Sequence, residues 1–395
     1  MKLLVSIDAN NVMKDAEGTY WCDTLHEYEF WSRYLEVFKT VKGATRVASG
    51  IDFDKNKMHR VDGPNVEIAE FPMKKGMKEY VLGFFSFKRA AKMAVKDVDC
   101  TVIRLPSVVG FFVLYYAKKA EIPIALEVVA DPHEAYSTNK IAQKLFTVLL
   151  KKAALSAYGV SYVTKDYLQK IYPSRARLYG DTGKYFEANY STINLPEWYF
   201  AEPMKYNSSN REITIIHTAN GIHNYLKGHD ILIKAVKAVR DQGFNVKLII
   251  VGDGRMKYKF EELVDELGLN EHVLFTGLLS SQEEVRSYLQ KSDLFVFPTK
   301  TEGLSRSLLE AMAVGLPCIS TPVGGNPELL DKEYTIDPKN IQGFAAKIIE
   351  LIQNPNKMEE SSKKNIEVAR NYRVDKITEK RNDFYKKLRK IAEKG

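Results

Sequence analysis

The chain has 395 residues, 45% hydrophobic and 27% charged, with 23 Gly and 14 Pro. That is enough apolar material for two domains of about 200 residues, and it excludes a disordered, collagen-like or low-complexity protein. Lys and Arg outnumber Asp and Glu by 58 to 50, a net charge of +8, yet no basic tail or nucleic-acid motif accompanies the excess, so nucleic acid is not an expected partner.

In chain order the first half predicts a strand at Lys2–Asp8, a helix about Tyr28–Val41, strands at Thr45–Ala48 and Val66–Phe71, and a helix about Lys78–Val95. A strand at Cys100–Leu105, a helix about Val109–Lys119, a strand at Pro123–Val129, a helix about Lys140–Ala157 and a strand at Val160–Thr164 follow. The second half alternates more cleanly: Glu212–Thr218 then helix His229–Gln242, Val246–Val251 then Met256–Leu267, Val273–Thr276 then Gln282–Gln290, Asp293–Phe297 then Ser305–Val314, and Pro317–Thr321. Its strands are wholly apolar or β-branched, as when helices cover both faces of a parallel sheet. Ser281 with Glu284 makes a capping box, and Gly243, Gly268 and Gly315 read as helix stops.

The fold class is therefore α/β, with two doubly wound domains: residues 1–205, residues 206–375, and a closing helix over 376–395. Asn207-Ser208-Ser209-Asn210 reads as the linker. The nearly apolar run Leu105–Ala117 is too short to span a bilayer, Asp8 interrupts any signal-like start, and Cys22, Cys100 and Cys318 stand apart. A soluble, reduced, cytoplasmic protein is the expectation.

Two segments mix cations with large apolar residues. Over Lys74–Lys96, which holds Phe84, Phe85 and Phe87, an anionic membrane surface and a core helix with solvated lysines are equally good readings. Over Lys140–Arg177 the same two readings stand, and the apolar spacing favours the packed helix.

Ligands in open α/β sheets bind beyond the carboxyl ends of the strands, and Thr301–Leu330 lies in such a place. Glu302, Gly303, Leu304 and Ser305 lead from a buried strand into a helix holding Arg306, Ser307 and Glu310. Free N–H groups at that helix start suit a diphosphate. Glu310 could accept from a ribose diol, and Glu302 could orient a sugar hydroxyl. Gly252-Asp253-Gly254 is followed by Lys257 where a dinucleotide fingerprint needs glycine. Asp52-Phe53-Asp54 and Asp97-Val98-Asp99 lie in the first half and read as turn acids, so no metal or other cofactor is expected.

The unit EGLSRSLLE with EAMAVGLPCISTPVGG resembles the donor-binding domain of family 4 retaining glycosyltransferases of the GT-B fold. Agreement continues at Asn224–Gly228, Val251–Gly254, Phe275–Leu279 and Ser292–Pro298. The resemblance implies two Rossmann-like domains facing a cleft, with the donor domain second. It implies a nucleotide diphosphate sugar as donor and a glycan or lipid-linked acceptor, as in bacterial polysaccharide assembly, with the enzyme cytoplasmic or peripheral on an anionic membrane. Glu310 would hold the ribose, Glu302 face the transferred sugar, and Lys227 neutralise the diphosphate. Gly221, Gly252, Gly254, Gly277 and Leu278 would line the donor, with Gly303, Leu304, Ser305, Arg306 and Ser307.

Many members carry an Arg five residues before that Lys, where this chain has Ile222; His223 or Arg306 substitutes, or Lys227 and backbone suffice. On the acceptor side Arg104 holds the slot of a family histidine. Either Asp131 or His133 reaches the cleft, or Asp131-Pro132 is a turn. Val163–Asp166 and Gly18 are further strand-end positions. A phosphorylase, hydrolase or epimerase on the same fold, or a non-catalytic sugar-nucleotide-binding subunit, are the alternatives.

Overall fold

A computed structural model describes residues 1–395 apart from 10, 24, 25, 75, 138, 207–210 and 395; the expected linker Asn207–Asn210 lies outside the described residues. The chain forms two units, residues 1–190 with 378–395, and residues 191–377. The division falls before the expected 205/206 because the segment after 190 is held to the second unit. Ala201 N–H donates to the Ala313 carbonyl (3.1 Å), Met204 N–H to Ser362 Oγ (2.8 Å) and the Tyr206 hydroxyl to the Asp293 carbonyl (3.1 Å). The closing helix, Val374–Ala392, begins in the second unit and continues in the first.

The first unit holds β1 (Lys2–Ser6), β2 (Val12–Lys14), β3 (Tyr20–Cys22), β4 (Thr40–Ser49), β5 (His59–Arg60), β6 (Val66–Pro72), β7 (Cys100–Leu105), β8 (Ile124–Val128), β9 (Gly159–Tyr162) and β10 (Phe186–Asn189). A parallel core runs β6-β4-β1-β7-β8-β9-β10, and β2 pairs the far end of β4 and leads through β3 to β5. Two expectations change here, and four short strands appear that the sequence did not predict. The helix about Tyr28–Val41 is helical only over Tyr28–Ser32, because Val41 and Ala44 are fully buried in β4 and pair in register with β1. The helix about Lys78–Val95 splits at Gly83 into Met77–Leu82 and Phe84–Ala94. The strands β2, β3, β5 and β10 are too short and mixed in polarity to show a period.

The second unit holds β11 (Ile213–Gly221), β12 (Val246–Asp253), β13 (Val273–Gly277), β14 (Leu294–Phe297) and β15 (Cys318–Ser320), all parallel in the order β13-β12-β11-β14-β15. Its core joins Ile215, Leu248, Ile250, Leu294 and Val296 to Leu232, Val236, Phe344 and Ile348 from the flanking helices. Strand order reverses between β11 and β14, and the crevice at such a switch point is where this architecture places ligands.

Behind the first sheet, Glu127 on β8 is almost fully buried. It accepts from Arg104 (2.9 Å), from the Tyr190 hydroxyl (3.0 Å) and from the Tyr385 hydroxyl on the closing helix (2.6 Å). Burial pushes its carboxyl up, but Arg104, Arg33 and the two hydroxyls outweigh that and hold it below its ordinary value. Removing one partner of a buried charge cluster strands the others. Glu127→Ala is therefore expected to destabilise the first unit by about 3–5 kcal/mol and Tyr385→Phe by about 1 kcal/mol, read from urea unfolding.

Candidate functional site

The switch point of the second unit brings two loops together. One follows β11 and carries Lys227 ahead of the helix His229–Asp241; the other follows β14 and carries Glu302 ahead of the helix Arg306–Ala313. Backbone contact sets their spacing. Gly228 has φ +76°, and a Cβ there would lie 2.0 Å from the Pro298 carbonyl oxygen. Gly324, at φ +58° after β15, would meet the Glu302 carbonyl oxygen at 1.7 Å. Both positions require glycine for conformation and for space. Hydroxyls complete the knot: Thr299 Oγ1 donates to the Leu226 carbonyl (3.2 Å), Thr321 Oγ1 to the Thr299 carbonyl (2.7 Å) and Ser320 Oγ to the Phe297 carbonyl (2.9 Å). All three hydroxyl residues are fully buried.

With the loops so placed, Lys227 Nζ sits 2.5 Å from Glu302 Oε2 and 5.7 Å from the centre of the Phe297 ring. The lysine side chain is 29% exposed and the glutamate 11%, so the pair is screened less than a surface bridge and still open to a ligand. Beneath it lie His217 and His229, both fully buried, with ring centres 4.6 Å apart. His217 Nδ1 bonds the Val296 carbonyl at 3.0 Å. Burial lowers His217 to about 4, against the raising effect of its bond to the Val296 carbonyl, and lowers His229 to about 2, where the neighbouring His217 adds to it; the Lys227 charge lowers both further. They are neutral at pH 7, leaving the ammonium as the positive charge over this spot.

The helix Arg306–Ala313 is capped by Ser305, whose Oγ accepts Leu308 N–H (3.2 Å). Among the described residues no acceptor takes the N–H groups of Arg306 and Ser307, so two donors remain at the positive end of the helix. Glu310, on the next turn, accepts no side-chain hydrogen bond among the described residues. Burial pushes its carboxyl up to about 7, with Arg306 drawing it down. Tyr199 faces the same recess, its hydroxyl raised first by burial and then by Glu310.

Gly221, Gly252, Gly254, Gly277 and the exposed Leu278 end β11, β12 and β13 on this same carboxyl edge. Ile222, at the family's arginine position, is fully buried in the core and cannot face a phosphate. His223 is exposed, and its ring lies against Gly221 and Gly254. The structure thus brings together Lys227, Glu302, Gly303, Leu304, Ser305, Arg306, Ser307 and Glu310.

The first-unit candidates fare differently. Arg104 is committed to Glu127 and is not free for an acceptor. Asp131 is buried and caps the short helix Pro132–Ala135, accepting His133 N–H (2.8 Å) and the Tyr172 hydroxyl (3.1 Å), which is the turn reading. His133 is exposed. Among the described residues no three His, Cys, Asp or Glu cluster to hold a metal. Sequence reasoning missed the two histidines, Tyr199 and the buried Thr299 and Thr321; the hydroxyl-rich strand ends were the available signal.

Comparison with known proteins bears on this edge. Residues 202–369, within the second unit, match the family model described as glycosyl transferases group 1. Protein CapJ of Staphylococcus aureus is 28% identical over 377 residues, 91% of this chain and 92% of that protein. N-acetyl-alpha-D-glucosaminyl L-malate synthase of Bacillus anthracis is 33% identical over 153 residues, 38% of this chain and 39% of that enzyme. The structure of HepE from Anabaena, in complex with UDP and glucose, superposes with a TM-score of 0.68 at 16% identity, over 97% of this chain and 98% of that one. The protein is a glycosyltransferase of GT-B fold.

In this glycosyltransferase the raised Glu310 couples stability to pH. The folded protein keeps a proton that the unfolded chain, with an ordinary value of 4.5, has released, so stability falls as pH rises from 4.5 through about 7. Glu310→Gln is expected to raise the unfolding midpoint at pH 8 by an amount corresponding to about 1–3 kcal/mol, and by much less at pH 5. Calorimetry at the two pH values checks it; an equal change at both would show the carboxyl to be ordinary.

Proposed function

We propose that the enzyme transfers a sugar, with retention at its anomeric carbon, from a nucleoside diphosphate donor to a hydroxyl of a glycan or lipid-linked acceptor, without a metal. The observation that carries this is the Lys227–Glu302 pair at the switch point, beside two unused helix N–H groups and the unpartnered Glu310. An ammonium and helix donors stabilise the diphosphate as it leaves, the work a divalent cation does elsewhere. Glu310 accepts from the ribose diol, and Glu302, holding the ammonium from the other side, faces the sugar. The bond between the anomeric carbon and the β-phosphate oxygen breaks, the acceptor oxygen bonds that carbon on the same face, and the acceptor proton passes to the departing phosphate. No separate general base is needed, which suits a first unit whose Asp131 is occupied as a cap; His133 remains the acceptor-side candidate. The UDP and glucose held by HepE and the sugar transfer in the name of the Bacillus enzyme support a nucleotide-sugar donor. Assembly of a cell-surface polysaccharide is the setting that fits a lipid-borne acceptor.

Lys227→Ala is expected to lower kcat at least about a hundredfold while changing donor affinity less, because its charge counts most as the leaving group develops. Glu310→Ala is expected to weaken nucleotide binding at least about tenfold. Steady-state kinetics and nucleotide titration separate the two. Anomeric analysis of the product by NMR, with turnover persisting in EDTA, tests the rest; an inverted product or a strict metal requirement would overturn it.

A further inference from the structure

In the first unit the connections β6 to β7, β7 to β8 and β8 to β9 all step the same way across the sheet, so right-handed crossovers put their helices on one face. These are Phe84–Ala94, Val108–Lys119 and Lys140–Ser156. They lie side by side, joined by Phe87 against Phe112 (5.4 Å between ring centres) and Phe111 against Phe146 (5.3 Å).

The outer surface of this layer is unusual in two respects. Lys140–Ser156 packs inward through Ala142, Leu150, Ala153 and Ala154, while Ile141, Leu145, Val148 and Leu155 are exposed. The exposed aliphatics recur at helical spacing and form a stripe of their own, in addition to the packed face that the apolar spacing predicts. At the other edge Phe85 is 79% exposed, on the same stripe as Arg89 and Lys92, and Leu82, which ends the preceding helix Met77–Leu82, is 83% exposed. The three helices contain lysines and Arg89 but no Asp or Glu, and none of these cations has an ion-pair partner among the described residues.

We propose that this three-helix face docks on an anionic lipid bilayer, its exposed aliphatic and aromatic side chains entering the acyl boundary and its lysines meeting the headgroups. A bilayer offers apolar depth and negative charge at once. A second copy of the chain would bring the same unneutralised cations face to face, which disfavours self-association here. The inference rests on nothing in the donor site, so failure of the transfer reading leaves it standing.

The test is sedimentation of the full chain with vesicles of phosphatidylcholine alone and of phosphatidylcholine and phosphatidylglycerol in equal parts. The wild type is expected to sediment with the anionic vesicles only, and less as salt rises. Leu145→Asp with Val148→Asp, and separately Lys144→Glu with Lys151→Glu, are expected to weaken partitioning at least about tenfold. Their unfolding midpoints should stay at the wild-type value, because every altered side chain is exposed. Equal binding to both vesicle types, or unaltered binding by both variants, would overturn the proposal. So would a wild-type dimer that the aspartate variant converts to monomer, since the face would then belong to a second copy.

Discussion

The close approach of two backbone segments at the switch point is the constraint on which the geometry of the candidate site depends. Gly228 lies against the Pro298 carbonyl and Gly324 against the Glu302 carbonyl, each nearer than any Cβ could allow. Because these contacts are between backbones, they cannot be relaxed by a rotamer change, and they hold together the loops that carry Lys227 and Glu302, a pair at hydrogen-bond distance. Preorganisation of this kind matters because a charged group that must first find its position supplies less at the transition state.

Charge around that constraint is arranged at a cost to stability. Glu310 stands unpartnered with its carboxyl raised, a cost to the folded protein at neutral pH that hydrogen bonds from a polyol would offset. His217 and His229 are kept neutral by burial, so they provide shape beneath the ammonium without competing for an anion. Glu127 in the first unit shows the opposite policy: every neighbour is a donor or a cation, and the cluster ties the closing helix to the sheet. The carboxylate with full partners is architecture; the half-buried Glu310, which accepts no side-chain hydrogen bond among the described residues, stands at a strand-end edge where a perturbed carboxyl is a site candidate.

What could be read in advance follows the same physics. The second unit was legible because its strands are built around apolar and β-branched runs and three of its helices are followed by Gly243, Gly268 and Gly315, so period and punctuation agree. The residues proposed for the donor stand out in the sequence because they cluster in one stretch after one strand. The helix expected to Val41 was not, since Thr40-Val41-Lys42-Gly43-Ala44 is selected by pairing with β1, a long-range demand that local pattern does not carry. Arg104 and Asp131 misled for a related reason. A polar residue at a strand end looks the same in sequence whether it meets a ligand, a buried carboxylate or its own helix start.

The helix Lys140–Ser156 marks the sharpest limit of periodicity. Its residues support two apolar stripes, one of leucine and alanines and one of larger aliphatics, and only the neighbours decide which turns inward. The small stripe wins because alanines let the helix sit close to the sheet, and the consequence is that Ile141, Leu145 and Val148 face outward. Folding gains nothing from their exposure. Single apolar residues on a surface need no explanation, but a row of them on one helix, in a layer of three helices that hold no Asp or Glu and expose Phe85 at the other edge, is the pattern on which the bilayer proposal rests.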